Sequence, residues 1–269
     1  YQIPALMLEG ITIVISPLIS LMKDQVDTLN ELEIKAAYIN SSLSDNEIFY
    51  ILTDVKNKKT KILYIAPERL NSMSFVNLMK NLDVSMIAID EAHCVSQWGH
   101  DFRKSYRNIP DFINIFPKRP VVACFTATAT KEVRDDIVSV LELRNPKVFI
   151  TGFNRENLKI KVIKGEVKKK YIVDYVGKNS GQSGIVYCST RKEVDSVYEL
   201  LLGKFRTVTR YHGGLSDEER KRNQENFIYD KSNIIVATNA FGMGIDKPNV
   251  RYVIHYNMPR NIENYYQEI

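Results

Sequence analysis

Short apolar runs separated by helix-period stretches constrain this sequence more than any other feature. In the first half they are ITIVIS (11–16), KAAYI (35–39), KILYIA (61–66), SMIAID (85–90) and VVACFT (121–126). Each is short, apolar and bounded by polar residues, the signature of strands buried on both faces. Between them lie segments with helical spacing, such as 18–32 and 45–57. The second follows Ser44 and Glu47, the S-x-x-E pattern that caps a helix start. Such alternation predicts an α/β fold, a mainly parallel sheet flanked by helices.

The pattern breaks at RNPK (144–147) and resumes with VFITGF (148–153), LKIKVI (158–163), GIVYCS (184–189), FRTVTRYH (205–212), NIIVAT (233–238) and VRYVIHY (250–256). Helices are expected over 191–203, behind Thr190 and Glu193, and over 217–228, behind Ser216 and Glu219. Two α/β lobes, 1–150 and 151–269, are therefore expected. The basic run KVIKGEVKKKY (161–171) reads as a solvated helix face. The net charge of +5 is a mild hint of polyanion binding. No apolar run reaches the roughly 20 residues of a membrane helix. Cys94, Cys124 and Cys188 are far apart, which argues against a structural zinc or a disulfide framework and suits a reducing compartment.

Ligands of open parallel sheets gather beyond the carboxyl ends of the strands. After 85–90 come Asp90 and Glu91, then Ala92 and His93. A carboxylate there can hold magnesium on the β- and γ-phosphates of a nucleotide, while its neighbour orients the attacking water. Yet no G-x-x-x-x-G-K-[ST] phosphate cradle occurs in the chain. TATAT (126–130) offers hydroxyls that cap a helix or hydrogen-bond the acids. Ser16 with Lys23, and Arg69 in APERL, accompany two further strand ends and suit phosphate. CSTRKE (188–193) and ATNAFGMGIDKPNV (237–250) repeat this in the second half, with Gly242 and Gly244 permitting close backbone approach. Trp98, the chain's one tryptophan, shares a polar loop with His100, Phe102 and Arg103, whose ring and guanidinium planes can stack on unpaired bases.

Taken in order, SPLISLMKDQV, YIAPERL, IDEAHCVSQWGHDFR, FTATAT, IVYCSTRKEV and ATNAFGMGIDKPNVRYVIHY resemble the successive motifs of the RecQ helicases over essentially the whole chain. D-E-A-H is shared by many helicases; its continuation into W-G-H-D-F-R is distinctive. The resemblance implies two RecA-like lobes, ATP and magnesium as cofactors, and single-stranded and forked duplex DNA as partners. It also implies 3′ to 5′ movement and a cytoplasmic, nucleoid-associated role in repair and recombination. By the same resemblance Asp90 serves magnesium, Glu91 positions water, and His93 links the nucleotide to the coupling machinery. Trp98, His100, Phe102 and Arg103 resemble the loop that makes hydrolysis respond to DNA; Thr126 and Thr128, read from their place beside the D-E-A-H tip, are expected to relay the state of the acids. Ser16, Lys23, Arg69, Thr190, Arg191 and Thr238 contact DNA backbone, and Gly244 and Asp246 lie on the nucleotide side. Lys104 and Glu156 depart from the family, each standing where a proline is common. In that family YQIPAL follows a phosphate loop and YYQEI precedes an arginine finger, so these residues are expected to form a partial core with little activity alone. Competing readings are a nucleic-acid-binding module without ATPase activity and an RNA remodeller.

Overall fold

A computed structural model describes residues 1–40, 43–97, 99, 102–150, 155–242, 245 and 247–269. They divide into two compact units, Tyr1–Lys147 and Val148–Ile269. In the first, helix α1 (Gln2–Met7) leads into strand β1 (Ile11–Ile15), followed by α2 (Ile19–Glu31), β2 (Ala36–Ile39), α3 (Asp45–Lys56), β3 (Ile62–Ile65), α4 (Met73–Met79), β4 (Val84–Ile89), α5 (Ile109–Asn114), β5 (Val121–Cys124) and α6 (Lys131–Val140). All strand pairings are parallel, in the order β2-β3-β1-β4-β5. Alternate residues of each strand face opposite sides. Ile11, Ile13 and Ile15 thus join one apolar layer, with Ile87, Phe112 and Ile137, while Val14 joins the other, with Met22, Val26 and Tyr64.

The second unit runs α7 (Lys168–Lys178), β6 (Ser183–Tyr187), α8 (Arg191–Leu202), β7 (Val208–Tyr211), α9 (Asp217–Ile228), β8 (Ile234–Ala237), β9 (Val250–His255) and α10 (Ile262–Glu268). Its parallel sheet has the order β7-β8-β6-β9. Local chemistry sets the helix starts. Ser44 and Ser216 form reciprocal capping boxes with Glu47 and Glu219, and Thr130 and Thr190 accept from the third residue of α6 and α8.

Two expectations fail here. Residues 158–163 form no strand, and Leu158, Ile160, Val162 and Ile163 are 39%, 72%, 73% and 40% exposed. Residues 148–150 are likewise irregular and exposed, and the rest of that run lies outside the described residues. β-branched side chains favour a strand only where a neighbouring strand and a core receive them, and neither sheet pairs with these runs. The basic run 161–171 is solvated as expected, but helix begins only at Lys168.

Gly184 illustrates how tightly the second sheet is packed. It pairs in register with Tyr252, and an added Cβ would fall 2.1 Å from that ring, which itself meets Tyr175 edge-on at 5.3 Å. Gly184→Ala is expected to destabilise the fold by about 1–3 kcal/mol, as overpacked cores do. Urea unfolding would show a lower midpoint at constant slope; an unshifted midpoint would contradict the packing described.

Candidate active site

Sheet order makes β1, β4 and β5 neighbours, so the residues just past their carboxyl ends converge. Asp90 follows β4. Its N–H donates to Ile15 O at 2.9 Å, which sets it beside Ser16 at the end of β1. Ser16 Oγ donates to Asp90 Oδ2 at 3.1 Å, and the Glu91 N–H donates to Oδ1 at 3.1 Å. From below, the buried Tyr106 hydroxyl donates to Asp90 O at 2.9 Å. Burial, and then the neighbouring Glu91 carboxylate, push the Asp90 pKa above the usual range.

Glu91 takes a left-handed conformation, φ 46° and ψ 47°. Such geometry is uncommon outside glycine, and it turns the chain sharply off the strand into the 3-10 segment Ala92–Val95. The Ala92 N–H is then caught by Phe125 O at 2.9 Å, just past β5. His93 is buried, its Nδ1 2.9 Å from Thr126 Oγ1 and 3.2 Å from Glu91 Oε2. Thr126 Oγ1 donates to Thr128 O at 3.1 Å and so is free to accept at His93. This bonding assigns the proton to Nδ1, shared between the threonine and the glutamate. Thr126 therefore meets the histidine, not the acids, and Thr130 is the member of TATAT that caps α6.

The remaining expected contacts ring this centre and the tips of the second sheet. Arg103 Nη1 donates to Pro17 O at 3.2 Å, tying its loop to the segment after Ser16. The Phe102 ring is half-exposed with the Arg107 guanidinium 5.4 Å from its centroid. Arg69 Nε donates to Asn40 O at 3.2 Å across the tips of β3 and β2, and Lys23 is exposed on α2. In the second unit Thr190 and Arg191 start α8, and the Thr238 N–H donates to Tyr211 O at 3.2 Å after β8. Gly242, at φ +112°, leaves 2.4 Å between its ideal Cβ position and the Tyr187 hydroxyl, so only glycine fits. Trp98, His100, Gly244 and Asp246 lie outside the described residues.

Three features carried no local signal in the sequence. Gln25 Oε1 accepts from Tyr1, Gln2 and Tyr64 at 3.0, 3.1 and 2.9 Å, a polar hub on one side of the sheet. Asp195 Oδ1 receives Arg210 Nη1 at 2.6 Å and His212 Nε2 at 3.2 Å, while His212 Nδ1 accepts the Gly214 N–H at 3.1 Å. Asn257 bridges the tips of β6 and β9.

Adjacent acids at a strand tip, joined through a buried histidine to the next tip, stand where parallel sheets gather their ligands, and the comparisons define the class first: a helicase core. Residues 1–136 match the family described as DEAD/DEAH box helicase, and residues 167–269 match the helicase conserved C-terminal domain. The chain belongs to the DEAD/DEAH box helicases, within their RecQ branch. It is 54% identical over 268 residues to the "ATP-dependent DNA helicase RecQ" of Bacillus subtilis, covering 100% of this chain and 45% of that protein. Against the "RecQ-like DNA helicase BLM" of Xenopus laevis the identity is 41% over 279 residues, with 100% of this chain and 20% of that one covered. The chain thus spans less than half the length of these relatives. Among solved structures, S. cerevisiae Dbp5 bound to RNA and ADP BeF3 matches with a TM-score of 0.74 at 20% identity, covering 96% of this chain and 67% of its own. The DUF1998 helicase MrfA bound to DNA and AMPPNP matches with a TM-score of 0.75 at 18% identity, covering 100% and 41%. These two likenesses concern the fold: RecA-like α/β units.

Proposed function

We propose that this chain supplies a large part of the motor core of an ATP-dependent DNA helicase that moves 3′ to 5′ along a single strand and opens forked duplexes. The observation that carries this reading is the Asp90–Glu91 pair, set beside Ser16 and linked through His93 to Thr126. The donor set suits magnesium: two hard carboxylate oxygens, each with one hydrogen bond, and no lysine or arginine among the described residues in ion-pair contact with them. Asp90 would hold the ion, and with ATP bound it would supply positive charge against the charge developing on the transferring phosphate.

The chain's own groups do the rest. Asp90 is held in one orientation by Ser16 and by the Glu91 N–H. Glu91 orients the attacking water and takes up its proton. His93 receives any shift of Glu91 and passes it to Thr126, whose partner Thr128 leads towards α6. Trp98, His100, Phe102 and Arg103 form the DNA-responsive loop, and Arg103 reaches Pro17 beside the same centre. Ser16 is spent on Asp90, so its hydroxyl serves the metal ligand in preference to DNA. Lys23, Arg69, Thr190, Arg191 and Thr238 line the strand tips that meet DNA backbone, and Gly244 and Asp246 serve the nucleotide. No phosphate cradle occurs among the 269 residues, so these residues by themselves are expected to turn over ATP slowly.

Single-strand-stimulated ATP hydrolysis, compared between this chain and a version extended to the length of its relatives, tests the reading. Stimulation of the extended form by DNA above RNA supports it. Equal stimulation by RNA points to the remodeller, and binding without turnover to a pure binding module. Arg191→Ala is expected to weaken binding to all single strands alike and to reduce the log–log salt slope by about 0.7, one phosphate's share. A sequence-dependent loss would contradict a backbone contact.

A further inference from the structure

Asn257, just past β9, fastens its strand tip to the neighbouring tip of β6, where Ser189–Arg191 turn into α8. Its Oδ1 accepts the Ser189 N–H at 3.1 Å, and its Nδ2 donates to Glu193 Oε1 at 3.0 Å. The second carboxylate oxygen, Oε2, accepts from the hydroxyls of Thr190 at 3.0 Å and Ser189 at 3.4 Å. Thr190 Oγ1 in turn accepts the Glu193 N–H at 3.2 Å. The hydroxyl donors of Ser189 and Thr190 are thereby committed. The Thr190 hydroxyl has no hydrogen left for a phosphate, so the group that this turn offers an anion is Arg191. That side chain is exposed at the first position of α8, alongside Gly213 and Gly214: its Nη2 is 3.6 Å from the ideal Cβ position of Gly213.

We propose that Asn257 and Glu193 are positioning residues that hold the Ser189–Arg191 turn in the shape from which Arg191 meets nucleic-acid backbone. This rests on the reading above that the turn contacts DNA. An exposed turn left to fluctuate must be ordered on every binding event, and that ordering cost falls on affinity. The clamp removes it in advance, and it acts on the DNA contact and not on the acid pair. The Glu193 carboxylate, held below its usual range first by the Asn257 amide, stays charged in this role.

The polarity of the clamp supplies the test, made in the full-length protein. Asn257→Asp keeps the acceptor for the Ser189 N–H but sets two carboxylates against each other. Adding Glu193→Gln restores the pair with donor and acceptor exchanged: the new amide nitrogen faces the new carboxylate, and the amide oxygen keeps the two hydroxyls. Asn257→Asp is expected to raise the single-strand concentration for half-maximal ATPase about tenfold, the effect of losing a hydrogen bond to a charged group. The value of kcat at saturating DNA should change little, and the double variant should recover most of the loss. An unchanged DNA requirement, a fall in kcat alone, or a loss that Glu193→Gln does not repair each overturns the clamp. Arg191→Ala separates the two layers. If it leaves the DNA requirement unchanged, the DNA-contact reading fails and the clamp with it. If it shifts the requirement while Asn257→Asp does not, only the clamp fails.

Discussion

Glu91→Gln is expected to lower DNA-stimulated ATP turnover by about 10²–10⁴-fold, the range for removing a positioned general base, while nucleotide binding persists. The substitution keeps the shape of the side chain and its place at the sharp turn after β4. It removes the negative charge and the capacity to take a proton. It also weakens the link to His93, for which the amide offers at most a neutral oxygen acceptor in place of the carboxylate. Steady-state ATPase assays with a fluorescent nucleotide titration would separate the two effects. Turnover near the wild-type level would remove Glu91 from the role assigned to it.

Asp90→Asn is expected to abolish turnover and yet stabilise the fold, a combination that distinguishes a functional acid from a structural one. In the folded chain the Asp90 carboxylate is buried and sits against Glu91, and both effects raise its pKa. An acid with a raised folded pKa favours folding in its protonated form. Its charge therefore costs stability above that pKa, and the cost is relieved as pH falls through it. An asparagine removes the charge and loses no partner. Its Oδ1 accepts from the Glu91 N–H, and its Nδ2 donates to Ser16 Oγ. The Tm at neutral pH should rise by about 2–4 °C, the shift that about 1 kcal/mol produces in a chain of this size. The gap should close as pH is lowered towards the Asp90 pKa. A lower Tm at neutral pH would show that the carboxylate supports the fold, and the stated origin of its raised pKa would fail.

Much of this architecture was readable before any coordinates. Helix α9 begins and ends where Ser216, Glu219 and the periodicity placed it, because a capping box and a helical stripe are made by residues within a turn of one another. Four strands of the first unit lie within the apolar runs that marked them, and β4 begins one residue early at Val84, because a buried parallel strand needs nothing but apolar neighbours on both faces. The failure at 158–163 has the complementary cause. Those residues have the composition of a strand, but strand formation depends on a partner elsewhere in the chain, and composition does not reveal one.

The same division holds at the site. By itself the sequence determined that Asp90 and Glu91 stand at the end of a strand, that His93 follows within one turn, and that serine and threonine caps open the helices. These are relations between near neighbours, governed by short-range sterics and hydrogen bonding. Only the tertiary structure decided that the tips of β1, β4 and β5 adjoin, so that Ser16 rather than another hydroxyl holds Asp90, and Thr126 rather than Thr130 meets His93. Only the tertiary structure, likewise, joined Asn257 to Glu193 and Ser189 across the tips of β9 and β6. Strand order is set by which apolar faces and crossovers pack together over the whole unit. The partners it brings within hydrogen-bond reach are separated by 74 residues for Ser16 and Asp90 and by 64 for Asn257 and Glu193, distances over which no local pattern carries information.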